Sequence, residues 1–201
     1  MLEHVPAWLG TLLRNRRAGH EKLVAADPAI AVGTDAIDLT SPAFASGARL
    51  PVRFTADGEG VSPPLVWTGV PAGTATLALI VEDPDAPTTA PLVHALIWNL
   101  ASDAGRLAEG AIGAEGAGET GRNSFLQQGW LPPDPPTGHG DHDYVFQLFA
   151  LSAAPDLGDS PGRSAFVEAI TGRVLATGLL IGTYSRGEQA EAVVANGPVT
   201  A

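Results

Sequence analysis

The sequence predicts an all-β dominated domain, a sandwich or a barrel, preceded by one amphipathic helix. Two observations carry this. Five short apolar segments, "RLPVRF", "PPLVW", "TATLALIVE", "VHALIWNL" and "YVFQLFAL", have strand-like length and are rich in β-branched and aromatic residues. Clusters of Pro, Gly, Asp and Ser separate them, as turns in a sandwich or barrel do.

Residues 6–24 are expected to form the helix. Pro6 suits a first helical turn, and Trp8, Leu9, Leu12, Leu13 and Leu23 fall near one face. Arg14, Arg16 and Arg17 cluster in mid-helix, and Gly19 is its weak point. Its apolar stripe must be buried against a second subunit or against the chain's own sheet. "AADPAIAVGTDAI" reads as a linker. Residues 1–36 are thus expected as helix and linker, 37–187 as the sandwich domain and 188–201 as a tail. Within the domain a short helix is expected around Ser164–Ile170 and a last strand over Leu175–Tyr184. "EGAIGAEGAGETGRN" is too glycine-rich for a regular element. "WLPPDPPTGHGDH" sets four prolines around Asp134, which reads as a stiff extended loop. No internal repeat is evident.

Composition excludes several roles. The formal net charge is −11, which argues against nucleic acid, since phosphates are neutralised by Lys and Arg. With no cysteine there is no disulfide, thiolate chemistry or cysteine-ligated zinc. No apolar run reaches the roughly 20 residues that span a bilayer, so membrane insertion is not expected. The start, with Glu3 early and its arginines after the apolar stretch, reads as cytoplasmic.

Titratable groups gather at the ends of three strand-like segments. Asp83 and Asp85 flank a proline in "EDPDAP"; His94 opens the next apolar run; "GHGDHDY" places His139, Asp141, His142 and Asp143 ahead of another. Strand ends are where a β scaffold presents a pocket. Strand alternation puts Asp143 on the face opposite His142 and Tyr144, and His139 and Asp141 read as solvated loop.

In this order, with "SPAF", "RFTADGEGVSPPLVWTGVPAGTATLALIVEDPDAP", "PPTGHGDHDYVFQLFAL" and "LIGTYSR", the chain resembles the phosphatidylethanolamine-binding protein family, in its bacterial Raf-kinase-inhibitor-like branch. The resemblance covers about residues 39–186. It implies an antiparallel β-sandwich with a small anion-binding cavity at one end. It also implies that Asp83, Asp85, Pro87, His94, Pro136, His142 and Tyr144 form that cavity. Two departures stand out: "HDY" puts Asp143 where the family usually has arginine, and Pro132 and Asp134 replace expected glycines.

The chemistry expected there is binding of a phosphate-like or carboxylate head group. His94 and His142 would donate to the anion, and the aspartates would fix their tautomers. Tyr144 could add a hydroxyl donor or serve only as packing. No cofactor or metal is required. A metal held by His94, His139, His142 and Asp85 or Asp141 lacks a recognised spacing. A hydrolase lacks a nucleophile elbow, Ser62 and Ser124 reading as turn residues. The resemblance also brings in a modulator of a protein kinase or serine protease, with 110–121 as the place for an inhibitory loop. A small anion, a homodimeric partner copy and an unidentified protein client are the expected partners.

Overall fold

The structure is a computed structural model and describes residues 7–30, 37–114 and 117–187. Pro6, the linker at 31–36 and the tail from 188 lie outside the described residues.

The chain opens with α1 (Ala7–Leu13), followed by two single 3-10 turns at His20–Lys22 and Val24–Ala26. The strands are β1 (Asp38–Thr40), β2 (Ala48–Arg49), β3 (Leu65–Thr68), β4 (Thr76–Asp83), β5 (Leu92–Leu100), β6 (Arg106–Leu107), β7 (Glu119–Thr120), β8 (His142–Leu151) and β9 (Val174–Tyr184). One helix, α2 (Arg163–Ile170), precedes β9. A three-stranded sheet runs β1-β3-β6 and a six-stranded sheet β2-β9-β8-β4-β5-β7. All pairings are antiparallel except β2 with β9.

Alternation along the strands builds two cores. Leu77, Leu79, Val81, Tyr144, Phe146 and Leu148 face the small sheet, where Leu39, Leu65 and Trp67 meet them. Ala78, Ile80, Leu96, Trp98, Phe149 and Leu151 face the other way. There Phe166 and Ile170 of α2, with Val24 and Ile30 of the N-terminal segment, cover them. Both faces of the central strands are thus covered, and β4 is buried at every position. This is why β4 reads as an unbroken apolar run.

Three expectations need correction. The helix stops at Leu13, not at residue 24. Beyond it, Ala18 N–H bonds the Ala86 carbonyl at 3.0 Å and Gly19 N–H the Pro84 carbonyl at 2.9 Å. Arg17 is therefore no mid-helix residue, because pairing with the 84–86 turn replaces the intrahelical ladder. "RLPVRF" yields only the two residues of β2 and a 3-10 turn at Val52–Phe54, since Pro51 removes a ladder donor. The glycine-rich segment does hold a short element, β7, which pairs with Ile97 and Trp98 of β5. Among the described residues, no helix is long and apolar enough to cross a membrane.

Glu82 fastens the N-terminal segment to the sheet. Its side chain is wholly buried, yet it is bonded on every side. Val24 N–H donates to Oε2 at 3.0 Å, Gln147 Nε2 to the same oxygen at 2.7 Å, and Arg163 Nε to Oε1 at 2.6 Å. Gln147 Oε1 accepts from Ala25 N–H at 2.7 Å, and Arg163 Nη2 donates to the Lys22 carbonyl. Removing the carboxylate strands these donors in a dry core. Glu82→Ala is expected to cost about 3 kcal/mol or more, read as a fall in the urea unfolding midpoint. Glu82→Gln, which keeps one acceptor oxygen, should cost less.

Candidate functional site

A cavity of about 340 Å³ opens at the end of the large sheet where β4 stops and β5 and β8 begin. The turn after β4 supplies Asp83, Ala86 and Pro87; β5 supplies Leu92 and His94. The proline loop supplies Pro132, Asp134 and Pro136, and β8 supplies His142 and Tyr144. Of the residues expected here, Asp83, Pro87, His94, Pro136, His142 and Tyr144 line the cavity. Asp85 does not.

Asp83 and Asp85 are structural staples of the turn. Asp83 Oδ1 accepts from Asp85 N–H at 2.8 Å, and Asp83 Oδ2 lies 2.7 Å from His142 Nδ1. Asp85 Oδ2 accepts from Asp143 N–H at 2.7 Å, locking the turn to the start of β8. Asp85 Oδ1 pairs with Arg17 Nη1 at 2.6 Å, and the same nitrogen reaches the Asp141 carbonyl. Side-chain atoms of His20, Asp85 and Asp143 converge within 4.8 Å, but Arg17 already supplies positive charge to Asp85. Among the described residues, the histidine set weighed from the sequence does not converge into a ligand cluster.

His139 is buried, not a solvated loop residue. Its Nδ1 is 2.7 Å from His142 Nε2 and its Nε2 is 2.9 Å from the Leu13 carbonyl at the end of α1. The carbonyl can only accept, so His139 donates from Nε2. Burial, and then the neighbouring His142, push His139 below the ordinary imidazole value, which keeps it neutral. Its Nδ1 therefore accepts from His142 Nε2. At its other nitrogen His142 is held by Asp83 Oδ2. Both His142 nitrogens are spent within the protein, so His142 offers no donor to an anion. This corrects the expected role.

His94 is re-aimed by a bulge. Val81 pairs with Ala95 and Glu82 with Val93, so His94 is the extra residue on β5. Its backbone carbonyl accepts from Leu131 N–H at 2.7 Å, and its Nδ1 donates to the Leu131 carbonyl at 2.7 Å. Burial pushes His94 below the ordinary imidazole value, against the pull of Asp83. The ring is therefore neutral and its Nε2 carries a lone pair. In the free protein this nitrogen is therefore an acceptor. Nε2 is buried and has no partner among the described residues.

Tyr144 is fully buried, and its hydroxyl likewise lacks a partner among the described residues. Its ring stands edge-on to His94, with centroids 5.0 Å apart. Burial, then Asp83, raises the phenol well above its usual value, so it remains a donor. Asp143 sits on the other face of β8; burial and Asp85 raise its carboxyl. Asp134 lines the cavity and pairs with Arg186, a guanidinium that it shares with Asp57. The hydrogen bonds from Arg186 lower the Asp57 carboxyl, and in return raise the guanidinium. Sequence reasoning missed Arg17, Asp57, His139 and Arg186. An arginine at the end of an apolar strand and an aspartate in the proline loop were the available signals. Ser62 Oγ accepts from Ile112 N–H and Ser124 Oγ from Val93 N–H, and neither lines the cavity.

Residues 40–185 match the model of the phosphatidylethanolamine-binding protein family. A UPF0098 protein of Methanothermobacter thermautotrophicus is 38% identical over 161 residues, covering 75% of this chain and 100% of the relative. A Mycobacterium tuberculosis protein named as a candidate lipoprotein, LppC, is 38% identical over 154 residues, 77% of this chain and 75% of its own. Membership of this group therefore does not fix a cellular compartment. The crystal structure of a phosphatidylethanolamine-binding protein homologue from Chlamydia trachomatis superposes with a TM-score of 0.70 at 34% identity. It matches over 77% of this chain and 100% of that one. YbcL of Escherichia coli also gives 0.70, at 28% identity, over 75% of this chain and 99% of that one. The chain belongs to the phosphatidylethanolamine-binding protein family.

Proposed function

We propose that the protein binds the acidic head group of a small ligand between Tyr144 and His94. One observation carries this reading: two residues that line one cavity, Tyr144 and His94, each bury a polar atom, Oη and Nε2, that has no partner among the described residues. A buried polar atom left unpaired costs about 1–3 kcal/mol, which a suitable ligand returns. The two atoms ask for different things. The hydroxyl donates to an oxygen, while the imidazole lone pair accepts a proton. An oxyacid satisfies both. It binds either with its own proton on the oxygen facing His94, or as an anion while His94 takes a proton from solvent. Arg186 beside Asp134 and His142 beside Asp83 engage the two carboxylates that line the cavity. Carboxylate and phosphate-like heads share this chemistry.

Two measurements check the reading, with acetate and methylphosphonate as probes for the two head types. Binding by NMR titration should weaken about tenfold in Tyr144→Phe, the size of one hydrogen bond to a charged group. Equal affinity in both proteins would sink the assignment. For acetate, complex formation takes up a proton, because free His94 is neutral and the complex holds one. The affinity should therefore fall with rising pH, by about tenfold per unit between about pH 7 and 8.5. A flat profile over that range would rule out the proton-coupled mode.

A further inference from the structure

α1 lies before the residues that match the family model, yet it forms one wall of the cavity. Leu9 and Leu13, one helical turn apart, face the cavity. Trp8 and Leu12, about a quarter-turn further round the helix, are 67% and 72% exposed. The helix is seated by close contact with the loop before β8. A Cβ on Gly10 would overlap the Thr137 carbonyl, and one on Gly138 would come within 3.0 Å of the Ala7 carbonyl. At its end the Leu13 carbonyl accepts the His139 bond.

The wall changes what the cavity can hold. Tyr144 and His94 bring the two polar atoms that lack partners among the described residues. Much of the remaining lining is hydrocarbon, from Leu9, Leu13, Leu92, Phe125, Leu131 and Pro132. At about 340 Å³ the space is roughly ten times the share of one water in the liquid, far more than a bare phosphate or carboxylate fills. It lies in the range of sites for small organic ligands.

We infer that α1 turns the head-group site into a site for an acid with a compact hydrocarbon body, and that Leu9 and Leu13 determine its length. This rests on the head-group reading above. The body removes its apolar surface from water against the leucine pair, while the acid end meets Tyr144 and His94. The chain thus selects an amphipathic acid over the bare ion.

The test compares hexanoate with acetate by NMR titration or calorimetry on the full chain. Each methylene buried is worth about fourfold in affinity, so hexanoate should bind at least roughly tenfold more tightly. Leu9→Asn with Leu13→Asn should erase most of that ratio. Leu12→Asn, on the exposed side, should leave both affinities unchanged. Leu9→Ala enlarges the wall without adding polarity, and should move the preference from hexanoate toward octanoate. A helix that only held the loop in place would not produce that shift. A wild-type ratio near one, or a ratio untouched by the Leu9 and Leu13 substitutions, overturns the inference. If hexanoate binds in an α1-dependent way while Tyr144→Phe has no effect, the head-group reading fails and this one stands. If neither acid binds, both fail.

Discussion

Two adjacent buried carboxylates at the end of β4, Glu82 and Asp83, set the terms for the rest of the molecule. Strand alternation sends them to opposite faces of the large sheet. A buried carboxylate is tolerated only when donors surround it. Glu82 recruits the N-terminal segment, Gln147 and Arg163 on one face. Asp83 recruits its own turn and His142 on the other. The position of the N-terminal segment and the geometry of the cavity are thus settled by one dipeptide. It ends the strand where ordinary apolar pairing stops.

The consequence for the site is a division of labour among its histidines. His142 and His139 transmit order: they connect the carboxylate of Asp83 to the backbone of α1 and are saturated in doing so. His94 is held at its other nitrogen by Leu131 and keeps its lone pair. Its orientation depends on a register break between β4 and β5, not on the strand's own alternation.

Long apolar runs and β-branched content make β4, β5, β8 and β9 legible before any coordinates, and the motif order points to the family. What is not legible comes from contacts distant in sequence. His139 stands between glycines and reads as solvated, because the helix that covers it is over a hundred residues away. The helical pattern past Leu13 is outcompeted by backbone bonds to residues 84 and 86. The bulge at His94 hides inside an unbroken apolar run. Glu82 is the instructive case: a charge inside "LALIVE" demands partners, and that demand is readable even though their identity is not.

The attachment of α1 gives the cavity wall an unusual thermodynamic status. Ala18 and Gly19 are pinned to the turn after β4, and only residues 14–17 separate that anchor from the helix. A wall on so short a tether experiences a high effective concentration of its own docking site. It loses almost none of the translational freedom that a separate partner must surrender. Seating α1 is therefore governed by the contacts of a few side chains and one carbonyl, and substitutions there act on the position of this wall more than on the stability of the sandwich.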